Sequence, residues 1–416
     1  MAKKLLIALV GAVISTGCAA EGTKMAKKSF GDDLAFIKKH TEVVVLTDTS
    51  GRSQVAVAPR LQGRVVTSTA QGTTGLSFGW INRELIASGK TVEHINVYGG
   101  EDRFWIGPEG GQFSVFFKQA APFDLEHWFT PAAIDTEPFE LVSKSQNRAT
   151  LRKDMQLENY SGTIFKIRVD REIRVLDKDE AIEKLAVTLP IAVKMVAFES
   201  ANKMTNTGTK AWEKETGLLS IWILGMFNPS PATTIVVPFN AGPQDQLGPI
   251  VNDAYFGKVP ADRLVVKAGP EQGPGQGVLF FSGDGQYRSK IGLSPQRAKP
   301  VLGSYDSLNQ VLTIVQYNKP DDVLDYVNSM WQLQDQPYRG DVVNSYNDGP
   351  AQPGGKPLGP FYELETSSPA AKLSPGQMLL HVHRTYHLQG LESDLDPVCQ
   401  AILGVTISQI KSALAK

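Results

Sequence analysis

Thr163-Ile164-Phe165-Lys166-Ile167-Arg168-Val169-Asp170-Arg171-Glu172-Ile173-Arg174-Val175-Leu176 is the stretch that decides the fold class. Phe165, Ile167, Val169, Ile173 and Val175 fall on one side of an extended chain, and Lys166, Arg168, Asp170, Glu172 and Arg174 fall on the other. That period of two is the signature of a strand in a sheet with one wet face. One residue breaks the rule, because Arg171 sits in register with the apolar side. A charge pointing inward needs an ion-pair partner or a polar cavity. Both readings are open for Arg171: a buried ion pair, or a guanidinium facing a ligand on the concave side of a sandwich.

The pattern outside this strand is also mostly β. Val43-Val44-Val45-Leu46, Val55 to Val57 and Arg64 to Ser68 read as short strands, with Pro59 and Gly63 as turn residues between the last two. The 38 glycines and 25 prolines punctuate the whole chain and leave little room for long helices. Helical periodicity is confined to Asp32–His40, to Asp321–Met330 and to Asp396–Leu414, where Pro397 suits a first helical position and Gly404 divides two helices. No repeat at about 20–50 residues argues for a solenoid or propeller. The expectation is a mostly β fold, a large antiparallel sandwich with a few peripheral helices.

The N-terminus has the three regions of an export signal: Lys3 and Lys4, an apolar run from Leu5 to Ile14, and small residues Ser15, Thr16 and Gly17 before Cys18. The apolar run is too short to span a bilayer as a mature helix. Ser15-Thr16-Gly17-Cys18 resembles a loose bacterial lipobox, with Ser15 where the strict motif has a branched apolar residue. The resemblance implies cleavage before Cys18 and lipidation of its thiol, so the expected location is the cell envelope, membrane-anchored and facing the periplasm or the cell exterior. The alternative is ordinary cleavage near Ala20 and a soluble periplasmic protein. The expected organisation is a signal peptide over 1–17, a tether and short helix over 18–42, the sandwich over 43–390 and a helical segment over 391–416.

Lys and Arg total 42 against 43 Asp and Glu, with no basic tract, so nucleic acid is not an expected partner. The other cysteine of the chain, Cys399, lies among apolar residues of the terminal helical stretch and reads as a buried structural thiol. No phosphate-binding loop, dinucleotide fingerprint, serine elbow or HExxH motif stands out, and no cofactor is expected.

Three constellations carry chemistry. The densest runs from Tyr98 to Gln112 and packs Glu101, Asp102, Arg103 and Glu109 among three aromatics and five glycines. Trp105 suits the C–H face of a sugar, Arg103 and the carboxylates suit its hydroxyls, and a pair of these carboxylates suits general acid–base work. The competing reading is a structured loop whose charges satisfy one another. The second, Tyr338 to Asp341 with Asn344 to Gly349, is rich in oxygen ligands but lacks the spacing of an EF-hand and reads better as ordinary turns. The third joins Phe361 to Thr366 with a strand over Gln377–Leu388, on which His381, His383, Thr385 and His387 share a face. His387 lies roughly 13 Å along that strand from His383, so a polar sheet face is expected there rather than a metal site.

With these segments in order, the chain resembles the galactose-mutarotase superfamily of aldose 1-epimerase type. Gln62-Gly63-Arg64-Val65 is similar to the family's early strand, and Gly99-Gly100 through Trp105 to Pro108-Glu109 is similar to a loop of its distant members. Leu364-Glu365-Thr366 with Pro369-Ala370, and then Leu373-Ser374-Pro375-Gly376-Gln377, resembles the segment entering the family's last strand. The likeness is closer still to a set of bacterial secreted and lipoprotein sequences of no established activity. It implies one β-supersandwich and a carbohydrate ligand. It also places Glu365 as the base that takes a proton from an anomeric hydroxyl. The family's acid histidine has no counterpart, because the corresponding region from Leu218 to Pro229 holds no histidine. His94, His127 and the terminal-strand histidines His381, His383 and His387 are candidate substitutes, and Glu101, Asp102, Arg103, Trp105, Glu109 and Arg171 are candidate substrate contacts. The expected function is a carbohydrate-active, lipid-anchored protein outside the cytoplasm, an epimerase- or lyase-like enzyme or, alternatively, a non-catalytic carbohydrate-binding lipoprotein.

Overall fold

The computed structural model describes residues 29–414 except 270–271 and 352–353. The segment read as an export signal, with Cys18, lies outside the described residues. A helix over Phe30–His40 opens this part of the chain, closed at its start by a reciprocal capping box between Ser29 and Asp32. Its buried residues Phe30, Leu34 and Ile37 recur at helical spacing and rest on the first strands.

Among the described residues eighteen strands follow: β1 (Val44–Thr47), β2 (Gln54–Ala58), β3 (Arg64–Thr69), β4 (Arg103–Gly107), β5 (Glu140–Lys144), β6 (Arg148–Glu158), β7 (Ile164–Val175), β8 (Lys194–Asn206) and β9 (Ser220–Phe227), then β10 (Thr233–Asn240), β11 (Leu264–Ala268), β12 (Gln276–Ser282), β13 (Ser289–Leu293), β14 (Val301–Asp306), β15 (Val311–Tyr317), β16 (Val343–Asn347), β17 (Tyr362–Ser367) and β18 (Met378–Gln389). They form a ten-stranded sheet in the order β11-β12-β10-β14-β15-β18-β8-β7-β6-β5, a five-stranded sheet in the order β13-β16-β17-β9-β4, and a three-stranded sheet β1-β2-β3. All named pairings are antiparallel. The fold is mostly β, built on large antiparallel sheets with few helices.

The ten-stranded sheet is covered on both faces. On one side Met195, Ala197, Leu312, Ile314, Tyr386 and Leu388 pack against Ala181 and Leu185 of a helix over Lys178–Leu185 and against Leu395, Val398, Cys399 and Leu403 of a helix over Glu392–Leu403. On the other, Phe165, Ile167, Val169, Val196 and Phe198 meet Phe104, Ile106, Ile221 and Ile223 of the five-stranded sheet. Further along the same interface Ile235, Val237 and Leu279 meet Ile291, Val343 and Leu364. Each fully buried side chain of this size contributes about 1.5–3 kcal/mol, so the interface between the sheets is a main source of stability.

Arg171 follows the parity of its strand and enters the space between the sheets, where its Nη2 donates to Asp102. The other oxygen of Asp102 accepts from Ser200 at 2.6 Å. The four polar residues expected to share a face on β18 do so, and that face points inward. The Thr366 hydroxyl lies 2.8 Å from His381 Nε2 and 2.9 Å from His383 Nδ1, so one hydroxyl bridges two imidazoles. His387 Nδ1 meets Thr313 at 2.9 Å and its Nε2 meets Glu101 at 2.9 Å. A polar seam thus runs through an otherwise apolar interface.

Two local expectations fail. Residues 321–330 form no helix; their backbone is held extended by a parallel bridge between Tyr326 and Arg339 and by the bond from Gly340 N–H to Tyr326 C=O at 2.9 Å. Pro397 is inside the Glu392–Leu403 helix rather than at its first position. Its missing N–H removes the bond toward the Ser393 carbonyl near the helix start. Gly404, at φ 73°, ends this helix in the left-handed conformation that glycine adopts most easily, and a second helix over Ile407–Ala413 follows. Cys399 is fully buried, and burial pushes its thiol up to about 12. Among the described residues no helix is long and apolar enough to cross a membrane.

Candidate functional site

The five-stranded sheet has two different faces because side chains alternate along each strand. Phe104 and Ile106 of β4 face the core, so Arg103 and Trp105 face the other way. The register places Trp105 opposite Trp222, Arg103 opposite Leu224, Leu224 opposite Glu365, Met226 opposite Glu363, Glu363 opposite Tyr346, and Tyr346 opposite Lys290. This outward face is the floor of a cavity of about 640 Å³. Its walls come from distant segments: His94, Ile95 and Val97; Leu125, Glu126 and Trp128; Phe256; Trp331; and Gly349, Ala351, Lys356, Leu358 and Phe361.

The floor is aromatic at one end. Trp105 packs edge-on to Trp222 with ring centroids 5.5 Å apart, and Trp128 stacks on Trp331 at 5.7 Å. Cations lie over this surface: Arg103 is 4.4 Å from the Trp105 ring and Lys290 is 4.7 Å from the Trp222 ring. Such contacts hold the guanidinium and ammonium in place while leaving donors free. Arg103 Nη2 donates to Glu363 at 2.9 Å, while its Nε and Nη1 are buried with no hydrogen-bond partner among the described residues.

Three glutamates gather around Lys290. Glu365 accepts from Lys290 Nζ at 3.1 Å and from Trp222 Nε1 at 3.0 Å. Glu363 stands two residues away on the same face of β17 and lines the cavity. Burial pushes its carboxyl up to about 8 despite the opposing pull of Arg103, with Glu365 adding to the rise. Burial also raises Glu109, against the pull of Lys290. Lys290 responds in the opposite sense: burial lowers it, but Glu365, Glu109 and Glu363 together more than offset that, and its affinity for a proton rises.

The structure separates the residues expected to form the site. Arg103, Trp105, Glu109 and His94 line the cavity. His94 Nδ1 lies 2.7 Å from the Trp128 carbonyl, and its ring stacks on Phe129 at 4.5 Å. Glu365 points to the same side but has no exposed surface, sealed beneath Trp222 and Lys290. Glu101, Asp102 and Arg171 lie on the opposite side, between the sheets, bonded to His387 and Ser68, to Arg171 and Ser200, and to Asp102 respectively. Glu101, Arg103, Arg171 and Glu365 thus do not converge on one cleft: alternation separates Asp102 from Arg103, and Glu101, which precedes β4, turns to Ser68 and His387. His127 is half-exposed, bonded to Asp124 at 2.7 Å, and does not line the cavity. Sequence reading passed over Glu363, Lys290, Arg288, Trp222 and Trp331. Glu363 had a signal, since a residue two before Glu365 on a strand shares its face.

A model of the family of unknown function DUF6786 matches residues 28–414. No curated protein matches the chain. Among solved structures, a putative aldose 1-epimerase from Escherichia coli K12 aligns at TM-score 0.48 and 13% identity, over 84% of this chain and 99% of that one. A galactose mutarotase-like protein from Lactobacillus casei ATCC 334 aligns at TM-score 0.45 and 11% identity, over 84% and 100%. A putative mutarotase from Salmonella typhimurium aligns at TM-score 0.44 and 11% identity, over 84% and 90%. The family match takes in all three sheets and every segment that walls the cavity, and the protein belongs to DUF6786.

Proposed function

We propose that this protein binds a saccharide in the cavity over the five-stranded sheet and carries out acid–base chemistry on it, held in the cell envelope by a lipid on Cys18. The observation that carries the reading is the floor itself: Trp105 and Trp222 beside Arg103, Lys290 and Glu363 in a cavity of about 640 Å³. Flat aromatic faces suit the C–H faces of sugar rings, and fixed charged donors and acceptors suit their hydroxyls. The Leu364-Glu365-Thr366 and Pro375-Gly376-Gln377 segments support placing the sandwich in the galactose-mutarotase superfamily. In the chemistry proposed, Glu363 is the acid: it reaches the cavity, and burial keeps it protonated near neutral pH. Glu365 is the base of the family resemblance, acting once ligand displaces Lys290 or Trp222 from its carboxylate.

A second reading, binding without turnover, is favoured by one observation. Glu365 is fully buried and engaged by two donors, as a structural carboxylate would be. One experiment separates the two. The full chain in detergent, with Glu363→Gln and Glu365→Gln variants, is presented with monosaccharides and oligosaccharides, following binding by calorimetry and turnover by NMR of the anomeric protons. Turnover lost in both variants supports the enzyme. Binding without turnover in any form leaves the second reading, and the absence of any saccharide binding refutes both.

A further inference from the structure

The cavity floor changes character along its length. Ser367 lies opposite Trp222, and Phe361 C=O accepts from Asp348 N–H six residues back along β17. At about 3.3 Å per residue the floor therefore runs roughly 20 Å from the tryptophan end to the far end. Arg288 stands at that far end, two residues before Lys290 and on the same side of the strand, and it lines the cavity. Its guanidinium carbon is 4.1 Å from the centroid of the Phe256 ring, and its Nε is buried with no hydrogen-bond partner among the described residues.

Unlike the other cations of the floor, Arg288 has no carboxylate within ion-pair distance among the described residues; Arg103 pairs with Glu363 and Lys290 with Glu365. Asp348, across the sheet, is engaged elsewhere: it accepts from the Tyr346 hydroxyl at 2.9 Å and from Gly359 N–H at 2.8 Å. Lys356 lines the same cavity and is likewise in no ion pair among the described residues. Glu109 and Glu363, two of the three cavity-lining carboxylates, are raised by burial, which weakens the negative charge they can offer. The third, Glu126, is exposed. The far end of the cavity is thus a stacked, pre-oriented guanidinium with a spare ammonium, neither in an ion pair among the described residues.

We propose that the cavity takes an acidic oligosaccharide, with the carboxylate or sulfate of one ring seated on Arg288 and Lys356 while neighbouring rings stack on the Trp105–Trp222 end. This rests on the saccharide reading above and adds the charge and length of the ligand. A guanidinium donates two parallel N–H bonds to a carboxylate or sulfate, and a fixed ring beneath it lowers the ordering cost of doing so. The floor is longer than one sugar ring, which points to several rings in line.

The test is calorimetric titration of the full chain in detergent with three probes of matched length: oligogalacturonate, a sulfated galactan oligosaccharide and a neutral galactan oligosaccharide. At least one acidic probe should bind about tenfold or more tighter than the neutral one, and added salt should weaken the acidic probe alone. The better of the two acidic probes identifies carboxylate or sulfate as the group recognised. Arg288→Gln should remove the preference and leave neutral binding in place, and Lys356→Gln, at an exposed position, should lower it without disturbing the fold. Neutral binding as tight as acidic binding overturns the proposal, as does equal weakening of all probes by Arg288→Gln, or a preference that survives both substitutions. If no oligosaccharide binds, the saccharide reading itself fails and this inference falls with it.

Discussion

Arg171→Met is the perturbation that tests the architecture most directly. The guanidinium and the Asp102 carboxylate are both without solvent exposure, and they form an ion pair between the two large sheets. Methionine keeps most of the stem and deletes the charge, leaving Asp102 with the Ser200 hydroxyl at 2.6 Å as its remaining side-chain partner. Removing one member of a fully buried pair costs about 3–5 kcal/mol, a large share of the roughly 5–15 kcal/mol that holds a typical domain together. The cost depends on pH in a definite direction. Burial already raises Asp102 while Arg171 pulls it down, so without Arg171 its folded value rises further. A carboxyl raised in the folded state favours folding most at low pH, so the penalty of the substitution is full at pH 7 and shrinks toward acid. The assay is urea unfolding of the full chain in detergent at pH 7 and pH 5, with Arg171→Met/Asp102→Asn alongside. The double variant removes the orphaned charge and should recover a large part of the loss. A single-variant cost below about 1 kcal/mol, or a double variant no better than the single one, would refute the claim that this pair bridges the sheets.

His381 and His383 are both held down to about 3, by burial first and then by His383 for one and by Arg171 and Arg384 for the other. A lowered histidine makes the fold more stable above its unfolded value near 6.5. That contribution is lost as pH falls, by up to about 1.4 kcal/mol per histidine per pH unit, and His381→Gln/His383→Gln should flatten the acid limb of a stability–pH curve. Glu363 has the opposite sign: raised to about 8, it favours the fold below its unfolded value and loses that contribution as pH rises through 8. Glu363→Gln should therefore be closest to wild type near pH 4 and increasingly more stable than it as pH rises toward 8, by thermal unfolding. Trp222→Ala should weaken saccharide binding by about 2 kcal/mol, roughly thirtyfold, in a fluorescence titration, with binding unaffected if the ligand lies elsewhere. Cys18→Ala should move the protein from the membrane to the soluble fraction and remove the acyl mass from intact-protein spectra. Retention in the membrane would exclude the lipid as its anchor.

The general fold was legible because β7 alternates cleanly, and alternation is a local property. Arg171 could even be read as inward-facing. Its partner could not, since Asp102 is brought there by a contact across 69 residues of sequence. The dense loop from Tyr98 to Gln112 was legible as important, but its charges serve two compartments. Asp102 turns toward the core, whereas Arg103 and Trp105 turn to the cavity. Lys290 and Arg288 left no mark because β13 is a five-residue strand whose two faces hold too few side chains to show a pattern. The segment at 321–330 misled because its apolar spacing serves burial of Tyr326 and Val327 against other strands, and its Ser329 hydroxyl accepts from Glu109 N–H at 3.1 Å. Helical spacing is only a statistical sign of helix, and tertiary bonds override it.

The alternation on β4 has a consequence for how this family can change. Strand β4 works as a reading frame: with the present phase Arg103 and Trp105 belong to the cavity, and Phe104 and Ile106 belong to the interior. One residue inserted or deleted in the frame would exchange the two sets together, sending a guanidinium and an indole into the apolar layer and two apolar side chains into the cavity floor. Residues of the wall carry no such phase. Length variation among natural homologues, and successful libraries for new ligands, should therefore concentrate in the segments near 125 and 350, while β4, β9 and β17 keep their lengths and vary only by substitution.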